Sequence, residues 1–205
     1  KNNVLLAEQI LLKANKINPK DQSVIVNLGA TYRILFEFEK SENYLKKALS
    51  INPKNISALV NFANLKRDTN NYREAIKLYE EAYKLNNKNS IILFNLAGIY
   101  QILGNFENSK KLLEELLLID QKNTLAHKML SIMKKYEVND KHQKEMFSLL
   151  KNSSFNEYEK ATLYFAISKS FEDQKNYEKS SNFFIKANNI QKKILKNYSI
   201  NSEVK

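Results

Sequence analysis

The sequence predicts an all-α fold, a solenoid of antiparallel helix pairs, on three observations. The phrase Ile17-Asn18-Pro19-Lys20-Asp21 returns as Ile51-Asn52-Pro53-Lys54-Asn55, 34 residues on, and fades through Leu85–Asn89 and Ile119–Asn123 at the same spacing. Between these phrases, apolar residues recur three and four apart, as in Val24, Leu28, Tyr32 and Leu35, which is the spacing of one helix face. Three glycines and two prolines in 205 residues also argue against an all-β chain built on tight turns.

Rows of 34 starting at Gln22, Ile56, Ser90 and Thr124 align the chain with itself. Row position 8 reads Gly29, Ala63, Ala97 and Ser131, and position 20 reads Ser41, Ala75, Ser109 and Gln143. Position 27 reads Ala48, Ala82, Leu116 and Leu150, while position 24 is large: Leu45, Tyr79, Leu113 and Phe147. Small residues let two helix axes approach to about 8–10 Å, and the bulky column fills the space beside them. Each row is therefore two antiparallel helices. The aromatic at position 17 (Phe38, Tyr72, Phe106, Tyr177) opens the second helix, and Asn71, Asn105 and Asn176 stand before it as N-cap candidates.

The repeated phrase is the link between rows. Asp21, Asn55, Asn89 and Asn123 cap the next helix, and proline stops the previous one. Asn87 and Gln121 replace proline in the later links, where fraying is expected. The predicted organisation is a half repeat 1–21, repeats 22–55, 56–89 and 90–123, a longer divergent repeat 124–160, a repeat 161–194 and a capping tail 195–205. The last full row begins three residues late, which places a longer loop at Lys151–Asn156. Lys192, Lys193 and Lys196 suit the final helix to a capping role, since a terminal repeat needs a polar outer face.

At 43% hydrophobic the chain can bury a sizeable core. It has no cysteine, hence no disulfide and no thiolate metal site, which fits a reducing, cytoplasmic setting. Its apolar runs are too short to span a bilayer. It opens Lys1-Asn2-Asn3 without methionine, as a segment of a longer protein would. The formal charge of +11 invites a nucleic-acid reading, but Arg33, Arg67 and Arg73 are the only arginines, and the lysines are scattered among acids. Nucleic-acid binding is thus the weakest of the function classes considered.

Ile25-x-x-Leu28-Gly29-x-x-Tyr32, Ser41-x-x-x-Leu45 and Pro53, at this period, resemble the tetratricopeptide repeat over nearly the whole chain. The resemblance implies a right-handed superhelix of hairpins, concave on the first-helix side, and an interaction module that binds a peptide or protein segment. Position 6 carries Asn27, Asn61 and Asn95 on successive first helices, where helix propensity does not favour asparagine. Facing one groove, their amides would form a ladder of donors and acceptors for an extended peptide. The family includes members that hold peptides by asparagines in this column. The competing reading is that each amide bonds neighbouring backbone. Asn64, Arg33, Arg67, Gln101 and Phe94 would line the same groove, the arginines receiving an acidic ligand. A solvated face for the arginines and a core place for Phe94 are the alternatives.

Catalytic groups do not converge in the sequence. There is no thiol and no Gly-rich phosphate loop, and His127 and His142 read as surface or packing residues without metal spacing. Glu80-Glu81 and Glu114-Glu115 read as a solvated outer face. No cofactor, metal or catalytic site is expected in this chain. Tyr136, Asp140-Lys141-His142-Gln143, Met146, Ala161–Ala166 and Phe171-Glu172-Asp173 resemble the stretch preceding the catalytic half of bacterial tetratricopeptide-repeat sulfotransferases. That resemblance implies an alternative role, presenting a substrate to a catalytic domain beyond the chain.

Overall fold

Asp21, Asn55, Asn89 and Asn123 each begin a helix by accepting backbone N–H bonds on their side-chain oxygens, from Val24, Ala58, Ile92 and Ala126 among others. The computed structural model describes residues 2–152 and 155–203, with side chains over 3–151 and 155–196. Among the described residues there are eleven helices and no strand. They are α1 (Asn2–Ile17), α2 (Gln22–Ile34), α3 (Phe38–Ile51), α4 (Ile56–Asp68), α5 (Tyr72–Leu85), α6 (Ser90–Ile102), α7 (Phe106–Ile119), α8 (Thr124–Met133), α9 (Lys141–Asn152), α10 (Glu157–Asp173) and α11 (Tyr177–Glu203). The chain divides into two compact units, Lys1–Asn105 and Phe106–Lys205.

In the first unit α2 packs on α3 and α4 on α5, and the hairpins join through α1–α2, α3–α4 and α5–α6. The small-residue columns explain the close crossing. Ser41 Oγ donates to the Gly29 carbonyl at 2.7 Å, and a Cβ added to Gly29 would meet Leu45 Cγ at 2.6 Å. Leu45, Phe62 and Leu65 form one buried cluster, and Leu59, Ala82 and Ile92 the next.

Proline proves dispensable in the links. α3 precedes Pro53 and α5 precedes the proline-free link, yet both run 14 residues and no fraying distinguishes them. The common device is the asparagine one place before. Asn18, Asn52 and Asn86 each accept, on the side-chain oxygen, the N–H two residues on. Asn71 makes no side-chain cap bond, whereas Asn176 accepts from Lys179 N.

Row position 15 closes the first-to-second-helix turn with a left-handed residue, at Phe36, Asn70, Gly104 and Lys175. Each turn carries the paired backbone bonds of a Schellman motif, such as Glu37 N to Tyr32 O and Phe36 N to Arg33 O. Glycine occupies this column only once, because the backbone bonding holds the others.

In the second unit α8 packs on α7 and α10, and α9 on α10, but α8 and α9 do not close on each other as α2 does on α3. At position 20, buried Gln143 replaces the small residue of other rows and bonds Ser170 and Gln174. α8 stops after 10 residues, and residues 134–140 form a longer link. α10 starts at Glu157, one turn before the row begins at Ala161, because Asn156 and Glu159 form a reciprocal capping box. The expected loop at Lys151–Asn156 is therefore occupied at both ends, by the last turn of α9 and the cap of α10; Ser153 and Ser154 lie outside the described residues. Over the expected capping tail, α11 continues as helix through 195–203.

Candidate functional site

All eight groove candidates lie on α2, α4 and α6 of the first unit. The helical period brings positions 5, 6, 9 and 12 of a first helix to one side of it, and a bonded chain ties the three helices together there. Arg33 of α2 pairs with Asp68 of α4 through Nη1 and Oδ2. Arg67, also on α4, gives Nη2 to Asp68 Oδ1 at 3.0 Å and Nη1 to Asn95 Oδ1 of α6 at 3.3 Å. Asp68, which sequence reasoning passed over, is thus the centre of the cluster. Its column offers Ile34 and Ile102 in the flanking rows, so only its charge beside Arg67 could have flagged it.

The arginines are consequently not a free cationic pair. One carboxylate divides its oxygens between them, leaving a local excess of one positive charge. Arg33 Nε remains buried without a partner, a donor still unsatisfied. Each asparagine has its polarity fixed by what it already bonds. Asn64 Oδ1 accepts the Tyr79 hydroxyl at 2.5 Å, and Asn95 Oδ1 accepts from Arg67, so both leave amide N–H groups to offer. Asn61 instead spends Nδ2 on the Ser57 carbonyl at 2.9 Å, the backbone bond of the competing reading, and leaves its oxygen as an acceptor. Asn27 is exposed, while Phe94 and Gln101 are half-buried. Tyr79, fully buried, has its hydroxyl pushed well above the ordinary range by desolvation, against the opposing pull of Arg67 and Arg33. It stays a neutral donor.

The second unit holds a second convergence that the sequence did not reveal. His127 Nδ1 and His142 Nε2 are 2.8 Å apart, and His142 Nδ1 is 2.6 Å from the Tyr136 hydroxyl. Both histidines are packing residues rather than surface ones, at 3% and 5% exposure. They stand 15 positions apart across a link that the repeat predicts to be tight, so nothing in the spacing joined them. Tyr136, His142, Gln143 and Met146, quoted for the sulfotransferase resemblance, are all buried in this unit, which gives their pattern a packing cause. Glu80, read as solvated, accepts the Tyr100 hydroxyl at 2.9 Å. Among the described residues, no three side chains converge to hold a metal, and no helix is long and apolar enough to cross a membrane.

Hairpins in 34-residue register, small residues at the crossings and a polar row along the first helices define a helical-repeat protein. Family models described as tetratricopeptide repeat match residues 22–88, 66–132 and 161–194, together more than half of the chain. This chain is a tetratricopeptide-repeat protein, of a repeat class that mediates protein–protein interaction and is typically non-catalytic. None of the three models describes a sulfotransferase. No curated protein matches the sequence. Among solved structures, pilF of Pseudomonas aeruginosa aligns with TM-score 0.70 at 17% identity, over 98% of this chain and 90% of its own. YrrB, described as a TPR protein with an unusual peptide-binding site, aligns with TM-score 0.65 at 18% identity, over 88% and 92%. A tetratricopeptide repeat protein from Parabacteroides merdae aligns with TM-score 0.62 at 20% identity, over 92% and 73%. Likeness at this level of identity shows the fold alone.

Proposed function

We propose that the first-helix face of α2, α4 and α6 binds an extended peptide or protein segment. The observation that carries the reading is the bonded chain Arg33–Asp68–Arg67–Asn95, which links three successive first helices and orients the amides beside it. Asn64 and Asn95 offer N–H groups to a peptide's carbonyls, and the Asn61 oxygen accepts a peptide N–H. Phe94 supplies apolar contact at the same face, and the surplus arginine charge favours a segment with a carboxylate nearby. YrrB, a TPR protein with an unusual peptide-binding site, supports the class of ligand. Presentation of a substrate to a sulfotransferase domain rests on the resemblance over residues 136–173 alone, and the cytoplasm remains the compartment that a cysteine-free chain suits best.

The test is an array of immobilised peptides probed with the whole chain, followed by titration of the strongest binder. Asn95→Ala and Arg67→Ala should each weaken that binder by about tenfold, or 1.4 kcal/mol. Full affinity in both variants refutes the groove. Binding that falls steeply with salt and transfers to single-stranded DNA would point to polyanion binding instead.

A further inference from the structure

The chain has two histidines, and both meet in one buried place. Their hydrogens are assigned by a fixed end point. His127 Nε2 lies 2.9 Å from the Gln121 carbonyl, which can only accept, so Nε2 carries the hydrogen. With the ring neutral, His127 Nδ1 must accept, and His142 Nε2 donates to it. His142 Nδ1 then accepts the hydroxyl hydrogen of Tyr136. Every donor has one acceptor, and the whole row points one way, from Tyr136 to Gln121.

One more proton ruins the count. A proton on His142 Nδ1 turns that atom into a donor, and the Tyr136 oxygen must accept while its own hydrogen loses its partner at a site 2% exposed. A proton on His127 Nδ1 sets two N–H groups against each other unless the hydrogens shift along the row to the same orphan at Tyr136. Either way a cation is buried.

This row also ties its two helices, since the side chains of His127 on α8 and His142 on α9 meet between them. A pocket of about 510 Å³ opens over them, walled by Leu117, Leu130 and Leu149. Below lies the apolar cluster of Tyr136, Met146, Leu163 and Ile167.

We propose that the Tyr136–His142–His127 row is an acid-sensitive strut, holding α9 and the 134–140 link to α8 while both imidazoles are neutral and releasing them when either takes up a proton. The charges around it do not supply a counter-ion in contact. Burial holds His127 below the usual histidine range, outweighing the Gln121 carbonyl, Glu145 and Asp120, which all favour its charge. His142 is lowered to about 3, first by burial, then by His127 and by Lys134, with Asp140 opposing. Lys134 itself holds Asp140 at 2.9 Å, and Asp173 of α10 is taken by Tyr136 N and Lys169. Glu114 and Lys141 stand at the pocket wall.

The sign follows from the lowered values. The unfolded chain takes up protons first, so the strut contributes fully above the ordinary histidine pKa of about 6.5 and loses that contribution as pH falls below it. Each histidine that stays neutral in the fold shifts unfolding by roughly 15-fold between pH 6.5 and 5. The first unit, without histidine, has no such source of change.

Hydrogen exchange on the full chain, corrected for intrinsic rates, tests this by comparing α8–α9 with α2–α5 at pH 7 and 5. Protection in α8–α9 should fall by an order of magnitude or more while α2–α5 holds, and the change should vanish in the His127→Gln/His142→Gln variant. Equal change in both units, or an unaltered pH response in the variant, overturns the proposal. Should the variant not fold, nitrogen NMR of the two native imidazoles decides: Nε2–H tautomers and titration below pH 5 support the strut, and an ordinary pKa in either ring ends it.

Discussion

Gly29 and Leu45 stand so close across the α2–α3 crossing that a methyl on Gly29 would lie 2.6 Å from Leu45 Cγ. Leu45 is fully buried and cannot swing aside. Gly29→Ala should therefore destabilise by about 1–3 kcal/mol from overpacking, reduced by the roughly 1 kcal/mol that alanine gains in a helix. Thermal unfolding reads this directly, and Leu45→Val in the same chain should recover part of the loss. An unchanged or raised melting temperature for Gly29→Ala alone would contradict the crossing geometry.

Asp68→Asn removes the carboxylate shared by Arg33 and Arg67. The arginine and aspartate side chains are 21–32% exposed, so the stability cost should stay within about 1 kcal/mol. Binding of a carboxylate-bearing peptide should tighten several-fold at low salt, and that of an uncharged peptide should not. Calorimetric titration of the two peptides separates the outcomes, and parallel changes would remove Asp68 from any role in selectivity.

Asn87→Pro tests whether the links share one backbone. Asn86 already has the extended conformation (φ −151°, ψ 89°) that Asn52 adopts before Pro53 (φ −141°, ψ 98°). Proline should stabilise by about 0.4–1 kcal/mol through the unfolded chain, visible as a higher urea midpoint. A lower midpoint would mean that the two links differ.

Lys175 holds φ at +59° in the turn before α11. Lys175→Gly relieves the clash of Cβ with the carbonyl while keeping the N–H that bonds Glu172 O. A gain of about 1 kcal/mol or less is expected in chemical unfolding, the added freedom of the unfolded chain offsetting part of the relief.

The helices and their caps were legible because each row restates them. The 34-residue period, the capping Asp and Asn, and the Gly29–Leu45 complementarity all lie within one row's span. What escaped the sequence lies between rows or breaks them. Asp68 sits in a column that carries isoleucine in both flanking rows, and its two partners come from different helices. Asn61 bonds Ser57, a choice between two plausible partners that spacing alone leaves open. The histidine pair sits in the row where α8 stops after 10 residues and residues 134–140 form a longer link, a departure that no other row restates. Proline was the conspicuous letter of the link phrase, yet the adjacent asparagine is common to the first three links.

The left-handed closures at position 15 are built wholly from main-chain groups no more than five positions apart. A stretch of 34 residues can therefore be excised from such a chain, or copied into it, without leaving a torn bend at the seam. Growth and shrinkage in whole modules cost this architecture no new turn chemistry, while the His127–His142 module, fastened by side chains found nowhere else in the chain, is the one that cannot be swapped for its neighbours.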